Sequence, residues 1–351
     1  MRRTAGRPTL PLMPRLRRSN PAAPGVARRR AGRGFTYRDH LGNTVTDAET
    51  VGRIRALVIP PAWTDVWICP WPHGHIQAVG TDAAGRRQYL YHPAWRAHRD
   101  REKFDRILEL GERLPVVRER LRERLATRGF HRDRVLAAAV RMLDQGFFRV
   151  GGEVYAAENG SFGLATLRRD HVEVVRGALV FCYPAKSGVQ RLHAVADEDV
   201  VKVVKGLLKR DDPDPELLSW KDRSGWHDLR SPDINAFLCE ITEGEFTAKD
   251  FRTWHATVLM AVALAVSHPV AASPAARKRA VTRGVKEVAD YLGNTPSVCR
   301  ASYLDPRVID LFADGVTIEG ALDDVGRDAV AGALATEGAI EQAVLAMLHR
   351  N

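Results

Sequence analysis

From about Phe35 to His92 the apolar residues come in short runs closed by proline or glycine. Leu57-Val58-Ile59 stops at Pro60-Pro61 and Val66-Trp67-Ile68-Cys69 at Pro70, while His75–Val79 and Arg86–Tyr91 flank the turn Asp82-Ala83-Ala84-Gly85. This pattern predicts a small β-rich domain. In its last run, strand alternation puts Tyr89 and Tyr91 on one face and Gln88 and Leu90 on the other. From Pro93 the spacing lengthens to the helical period. Charged helices are predicted over 94–112 and 116–127, broken near Pro115, followed by an apolar-faced helix over 133–147. A second strand cluster covers 162–167, 172–183 and 189–196, its last two runs joined by Pro184-Ala185-Lys186-Ser187-Gly188. Helices are predicted over 197–209, 231–241, 248–267 and 274–291, with an acidic stretch from 305 onward. The fold class is α+β: a small N-terminal antiparallel β domain at 35–93 and a larger, mainly helical domain at 94–351 that carries a small sheet.

Charge changes this picture at the N-terminus. The net charge is +10, and residues 1–34 hold Arg2, Arg3, Arg7, Arg15, Arg17, Arg18, Arg28, Arg29, Arg30 and Arg33 with no acid. These arginines account for the whole excess, so a basic pI speaks for this segment and not for the body. The segment reads as a disordered Arg/Pro-rich arm, expected to strengthen non-specific binding to a polyanion and steepen its salt dependence. In the body, residues 96–134 are rich in Arg and Lys and residues 305–350 in Asp and Glu. That separation suits either the orienting of a polyanion or ordinary solvated helix faces.

Other chemistries find little support. Cys69, Cys182, Cys239 and Cys299 are widely separated, which argues against a disulfide framework or structural zinc and fits a reducing compartment. His73 and His75 lack partners at metal-ligand spacing. The apolar run Thr257–Val266 is about half a membrane span and reads as a buried helix. Arg2-Arg3 is not followed by the hydrophobic stretch of a secretory signal, so a cytoplasmic, nucleoid-associated protein is expected. The chain contains no GxxxxGK[ST] loop.

Five positions stand in distinctive local phrases. Arg149 lies in FFRVGGEVYAAENGSFGLATL, where two glycines let backbone approach a ligand beside a guanidinium. Lys186 occupies a hairpin tip, where an ammonium can donate a proton. Arg252, in FTAKDFRTWHATVLMAVAL, falls in the first turns of a buried helix opened by the capping pattern Thr247/Asp250, so it needs a partner or a ligand. In VADYLGNTPSVCRASYLDP, Gly293 closes one helix, Asn294 or Thr295 caps the next, and Tyr303 lies about two turns further on. Taken singly, each equally suits an ordinary structural role: a surface arginine, a turn lysine, a salt bridge, a core tyrosine.

Together and in this order the phrases resemble the type IB DNA topoisomerase family, in particular its compact poxvirus-like and bacterial branch. FFRVGGEVYAAENGSFGLATL resembles the first catalytic-arginine segment, KDFR the second, PAKSG the catalytic-lysine hairpin and GNTPSxxxxxY the closing nucleophile segment. IPPAW…GRRQYLYHPAW looks like that branch's β domain, so the resemblance spans about residues 35–305. It implies Tyr303 as the nucleophile of a 3′-phosphotyrosyl link and Arg149 and Arg252 as neutralisers of the phosphorane. Lys186 would be the proton donor to the leaving 5′-oxygen. Asn294 stands where viral and eukaryotic members place histidine; an amide donates a hydrogen bond but neither titrates nor carries charge. The resemblance further implies DNA contacts from Gln88, Tyr89, Tyr91 and Tyr155. Its implied partner is duplex DNA clamped by a monomer, with neither ATP nor metal as cofactor. The rivals are a tyrosine recombinase, suggested by His227-x-x-Arg230 in WHDLRSPDINAFL, and a non-enzymatic DNA-binding protein, suggested by the basic arm. A recombinase box would not be followed by a second arginine phrase such as KDFR.

Overall fold

The computed structural model describes residues 15–322 and 337–350, excluding the side chains of Val154, Tyr155 and Ser187. The chain divides into two compact units, the first ending at Lys103 and the second beginning at Phe104. This places the division ten residues beyond the boundary expected at 93/94, inside a long helix.

The first unit is a five-stranded antiparallel sheet of order β2-β1-β3-β4-β5, formed by β1 (Val26–Ala31), β2 (Gly34–Arg38), β3 (Thr64–Ile68), β4 (Ile76–Thr81) and β5 (Arg87–Tyr91). Its small core gathers Val26, Val66, Ile68 and Ala78 with Ile54 of the helix α1 (Ala48–Ala56). Two expectations need correction here. The arginine-rich segment is not a disordered arm throughout, because β1 lies within it and pairs with both β2 and β3. Arg28 donates to the carbonyls of Ile59 at 3.0 Å, Pro60 at 3.0 Å and Trp63 at 2.6 Å, while the Arg17 guanidinium lies 3.6 Å from the Trp71 ring centre. These arginines are fixed by carbonyls and aromatic faces, a use that composition does not reveal. Arg2, Arg3 and Arg7 lie outside the described residues. The triplet Leu57-Val58-Ile59 forms no strand: Leu57 ends α1, and Val58 is exposed with φ 48°. Asp47 starts that unexpected helix by accepting the Thr50 N–H at 2.7 Å.

α2 (Pro93–Ala126), the helix within which the units divide, continues through Pro115 where a break is expected. Leu110 and Leu114 before the proline, and Val117 and Leu121 after it, are all buried in one core. That shared burial outweighs the roughly 3 kcal/mol cost of an interior proline. Next come α3 (Arg132–Gly146) and α4 (Glu153–Asn159). A three-stranded antiparallel sheet follows: β6 (Val172–Val175), β7 (Ala178–Pro184) and β8 (Gln190–Val195). The run 162–167 is a short 3-10 turn, Leu164–Thr166, in place of a strand. After α5 (Glu198–Leu208) comes a hairpin not foreseen from the sequence, β9 (Ser219–Asp222) and β10 (Gly225–Asp228). The remaining described helices are α6 (Ser231–Thr242), α7 (Ala248–Ser267), α8 (Pro274–Leu292), α9 (Pro296–Ser302), α10 (Pro306–Ala313) and α11 (Ala339–His349). α7 is apolar and long enough to span a membrane, but Phe251, Trp254, Val258 and Met260 are fully buried and make it a core helix.

Opposite charges from the basic and acidic regions meet inside this core. Arg118 on α2 grips Asp144 on α3 at 2.8 Å and Glu341 on α11 at 2.5 Å. Glu341 also accepts from the Trp254 indole at 2.9 Å, and His255 reaches Asp144 at 3.1 Å. Paired guanidinium and donors hold the Asp144 carboxyl far below the usual carboxylate range despite full burial. The charge separation seen in the sequence is thus partly an internal ion-pair network joining α2, α3, α7 and α11.

Candidate active site

Arg149 stands on the turn that follows α3. Phe147, the residue closing α3, adopts a left-handed backbone with φ 54°, uncommon for a residue with a side chain. The turn is held by backbone bonds from Leu164 N–H to Arg149 O and from Ala165 N–H to Val150 O, both 2.8 Å. Gly151 and Gly163 face each other so closely that a Cβ on Gly163 would lie 2.5 Å from the Gly151 Cα. The glycines of the FFRVGG…SFGL phrase therefore permit two backbones to touch at the turn that carries Arg149.

Arg252 sits on α7, whose first turn is closed by Asp250 accepting the Thr247 N–H at 2.9 Å and its hydroxyl at 2.8 Å. Only 3% of Arg252 is exposed. It donates to the Phe147 carbonyl and, at 2.9 Å, to the Leu292 carbonyl. Its guanidinium carbon is 5.4 Å from the centre of the Tyr303 ring. Burial and then the nearby Arg149 charge push the Arg252 pKa down to about 10.

Gly293 ends α8 in a left-handed turn with φ 61°, its N–H bonding back to Asp290 O, and the Asn294 N–H bonds to Ala289 O at 3.0 Å. Between the two expected caps, Thr295 is the one that opens α9, its hydroxyl accepting from Val298 N–H at 3.3 Å. Tyr303 is the closing residue of α9. Arg149 donates to the Gly293 carbonyl at 3.1 Å and to the Asn294 side-chain oxygen. Arg149, Arg252, Asn294 and Tyr303 are thereby assembled in one place from three separate phrases. Lys186 begins a short 3-10 turn at the β7–β8 tip and is exposed; among the described residues its ammonium has no hydrogen bond or ion pair.

Two further residues line the same cleft, which sequence reasoning missed: Arg191 and His193 on β8. Arg191 donates to Asp290 O at 2.9 Å and to Tyr291 O. Alternation along β8 sets Arg191 and His193 on one face, but only the hairpin's placement shows which face meets the cleft. Burial, then Arg191 and Arg252, push the His193 pKa down to about 4, so its ring is neutral at pH 7. An unfolded chain would take up that proton near the ordinary 6.5. The stability from the neutral ring is thus present above about pH 6.5 and lost as pH falls through about 4. Glu216, raised to about 7 by burial and neighbouring carboxylates, acts oppositely: its contribution is present below its ordinary 4.5 and lost as pH rises through 7. Comparing chemical denaturation of the protein with that of His193→Gln isolates the histidine. The stability difference between the two should shift toward the variant on going from pH 7 to pH 4, and a pH-independent difference would contradict the neutral assignment.

The electrostatics of the cleft are those of an anion site. Three guanidiniums converge, and among the described residues none of the three forms a salt bridge with a carboxylate. The Arg252 Nε and the Asn294 Nδ2 are buried donors without a partner among the described residues. Unpaired buried donors and cations are costly, and a tetrahedral oxyanion with several acceptor oxygens would satisfy both.

The other expected contact residues fall elsewhere. Tyr89 and Tyr91 share an exposed face of edge strand β5, their rings 6.1 Å apart and nearly parallel at 17°. Gln88 is on the opposite face and donates to Asp82 at 2.9 Å. The backbone of Tyr155 belongs to α4, and its side chain is outside the described set. His227 is engaged by Asp222 and Ser224, both at 2.9 Å, on the β9–β10 hairpin, and Arg230 is exposed at the start of α6. Neither joins the arginine cluster, so His227-x-x-Arg230 does not supply its second arginine.

Residues 92–312 match the family model described as "Eukaryotic DNA topoisomerase I, catalytic core", and residues 34–82 match "Bacterial DNA topoisomerase IB, N-terminal domain". The chain is 29% identical to the DNA topoisomerase 1B of Acanthamoeba polyphaga mimivirus over 294 residues, covering 82% of this chain and 87% of the viral protein. It is 23% identical to the DNA topoisomerase 1B of vaccinia virus (strain Copenhagen), covering 81% and 88%. Similarity to the DNA topoisomerase 1 of Mycosarcoma maydis is 24% over 57% of this chain and 22% of the fungal protein. With the core match spanning most of the second unit and the N-terminal domain match in front of it, the chain belongs to the type IB DNA topoisomerase family.

Proposed function

We propose that the protein nicks one strand of duplex DNA through Tyr303, lets the duplex rotate and reseals it, relaxing supercoils of either sign as a monomer. The observation that carries this is the convergence of three guanidiniums, free of carboxylate partners, on the segment that ends at Tyr303. In cleavage the Tyr303 oxygen bonds to phosphorus and the bond from phosphorus to the 5′-oxygen breaks. The phenolic proton passes to solvent, while the departing 5′-oxygen takes a proton from the Lys186 ammonium. Arg149 and Arg252 neutralise the charge that grows on the non-bridging oxygens, and the spare Arg252 Nε and Asn294 Nδ2 donors fit the same oxygens. Asn294 acts by hydrogen bonding alone, and Arg149 fixes its orientation by binding its side-chain oxygen. Religation runs the same steps backward, and the phosphotyrosine conserves the phosphodiester, so no nucleotide is consumed.

Tyr89 and Tyr91 offer two exposed, near-parallel rings for DNA contact from the first unit, and Gln88 and Tyr155 are proposed as further DNA contacts. DNA as substrate suits a cytoplasmic, nucleoid-associated protein. The purified protein is expected to relax both positively and negatively supercoiled plasmid in EDTA without ATP. Strand exchange between paired sites without relaxation would instead identify a recombinase.

A further inference from the structure

The last carbonyls of α8 are held in an unusual way. Asp290 O and Tyr291 O accept from Arg191, Leu292 O from Arg252, and Gly293 O from Arg149. Four successive carbonyls at the negative end of a helix are thus covered by guanidiniums from three different elements. Arg252 and Arg149 come from α7 and the turn after α3. Arg191 alone comes from the β7–β8 hairpin, whose tip carries Lys186.

We propose that Arg191 is a positioning residue that ties the Lys186 hairpin to the tyrosine-bearing segment by gripping the end of α8. This rests on the assignment of Lys186 as proton donor. Register places Arg191 opposite Tyr183, at the base of the tip. Above it, Ala185 N–H bonds to Val189 O at 2.9 Å and Gly188 N–H to Ala185 O at 2.9 Å, both within the tip itself. These bonds shape the tip but do not fix its distance from Tyr303. The planar fork of Arg191 spans two adjacent carbonyls, which a single ammonium does not reproduce. Its guanidinium also rests against Gly293, where a Cβ would lie 2.8 Å from the Arg191 Nη1. The helix end it holds leads through Gly293 and Asn294 directly into α9 and Tyr303. While Arg149 and Arg252 present donors to the phosphate, Arg191 keeps hold of Asp290 and Tyr291. Proton donor and nucleophile then stay in register on opposite sides of the reacting phosphorus.

The test uses single-turnover cleavage of two duplexes, one with the ordinary 5′-oxygen at the scissile bond and one with sulfur there. A thiolate leaves without being protonated, so the sulfur duplex bypasses the proton donor. Misplacing a reacting group by an ångström costs about 10²-fold. Arg191→Ala is therefore expected to cleave the oxygen duplex about 10²-fold more slowly than the unaltered protein and the sulfur duplex at nearly the unaltered rate. Arg191→Lys, which keeps the charge but not the fork, should show a smaller defect with the same rescue, and it carries the comparison if the alanine variant does not fold. Lys186→Ala is the reference. If Lys186→Ala is rescued by sulfur and the Arg191 variants are not, the tether is wrong while the Lys186 assignment stands. If Lys186→Ala is itself not rescued, that assignment fails and the tether falls with it. Unimpaired cleavage of the oxygen duplex by Arg191→Ala also overturns the proposal.

Discussion

Tyr303→Phe is expected to bind plasmid DNA and relax none of it. The substitution removes the one oxygen that would bond to phosphorus and leaves nearly everything else in place. The ring that faces the Arg252 guanidinium at 5.4 Å is retained. So is the backbone around it, where Tyr303 O accepts from the Thr257 hydroxyl at 3.4 Å and Asp305 N–H donates to that same hydroxyl at 3.3 Å. Fold and affinity should therefore survive while denaturant-trapped covalent adduct disappears entirely. Adduct formation by the phenylalanine protein would remove Tyr303 from the mechanism.

The second large effect is at Arg252. Replacement by alanine should slow single-turnover cleavage by about 10²–10³-fold, the usual cost of removing one preorganised donor to a developing oxyanion. Arg252→Lys should recover little, because one ammonium cannot hold the Phe147 and Leu292 carbonyls and still present a donor to phosphate. Thermal stability should follow a different course. The Arg252 pKa is lowered in the fold, so its charge is held there at a cost, and losing it offsets part of the loss of two hydrogen bonds. The expected result is a collapse in rate with a modest change in melting temperature. A variant that unfolds while its residual folded fraction cleaves normally would show that Arg252 is structural.

What could be read from the sequence divides along chemical lines. Arg149, Arg252, Asn294 and Tyr303 were legible because each lies in a phrase whose glycines, caps and apolar run are required by the same geometry. The Gly151–Gly163 contact and the left-handed Gly293 are those requirements made visible. Arg191 was not legible, since its role depends on which way one hairpin faces another helix's end, and no local spacing encodes that. β1 was hidden by its arginines, of which Arg28 looks solvated until Ile59, Pro60 and Trp63 supply carbonyls from 31 to 35 residues away. Pro115 misled for the opposite reason: a strong local breaker was overruled by burial on both sides of it. Local rules served where chemistry imposed them, and failed where distant packing decided.

β1 has a practical bearing on how the molecule can be shortened. The match to the bacterial N-terminal domain begins at residue 34, an inviting place to start a trimmed protein. Starting there would strip the strand that lies between β2 and β3 and uncover the edge of β3, with Val66 and Ile68 beside it. A bare apolar strand edge recruits other chains. A protein begun at residue 34 should therefore elute from size exclusion as aggregate, whereas one begun at residue 15 keeps its sheet and elutes as a discrete species.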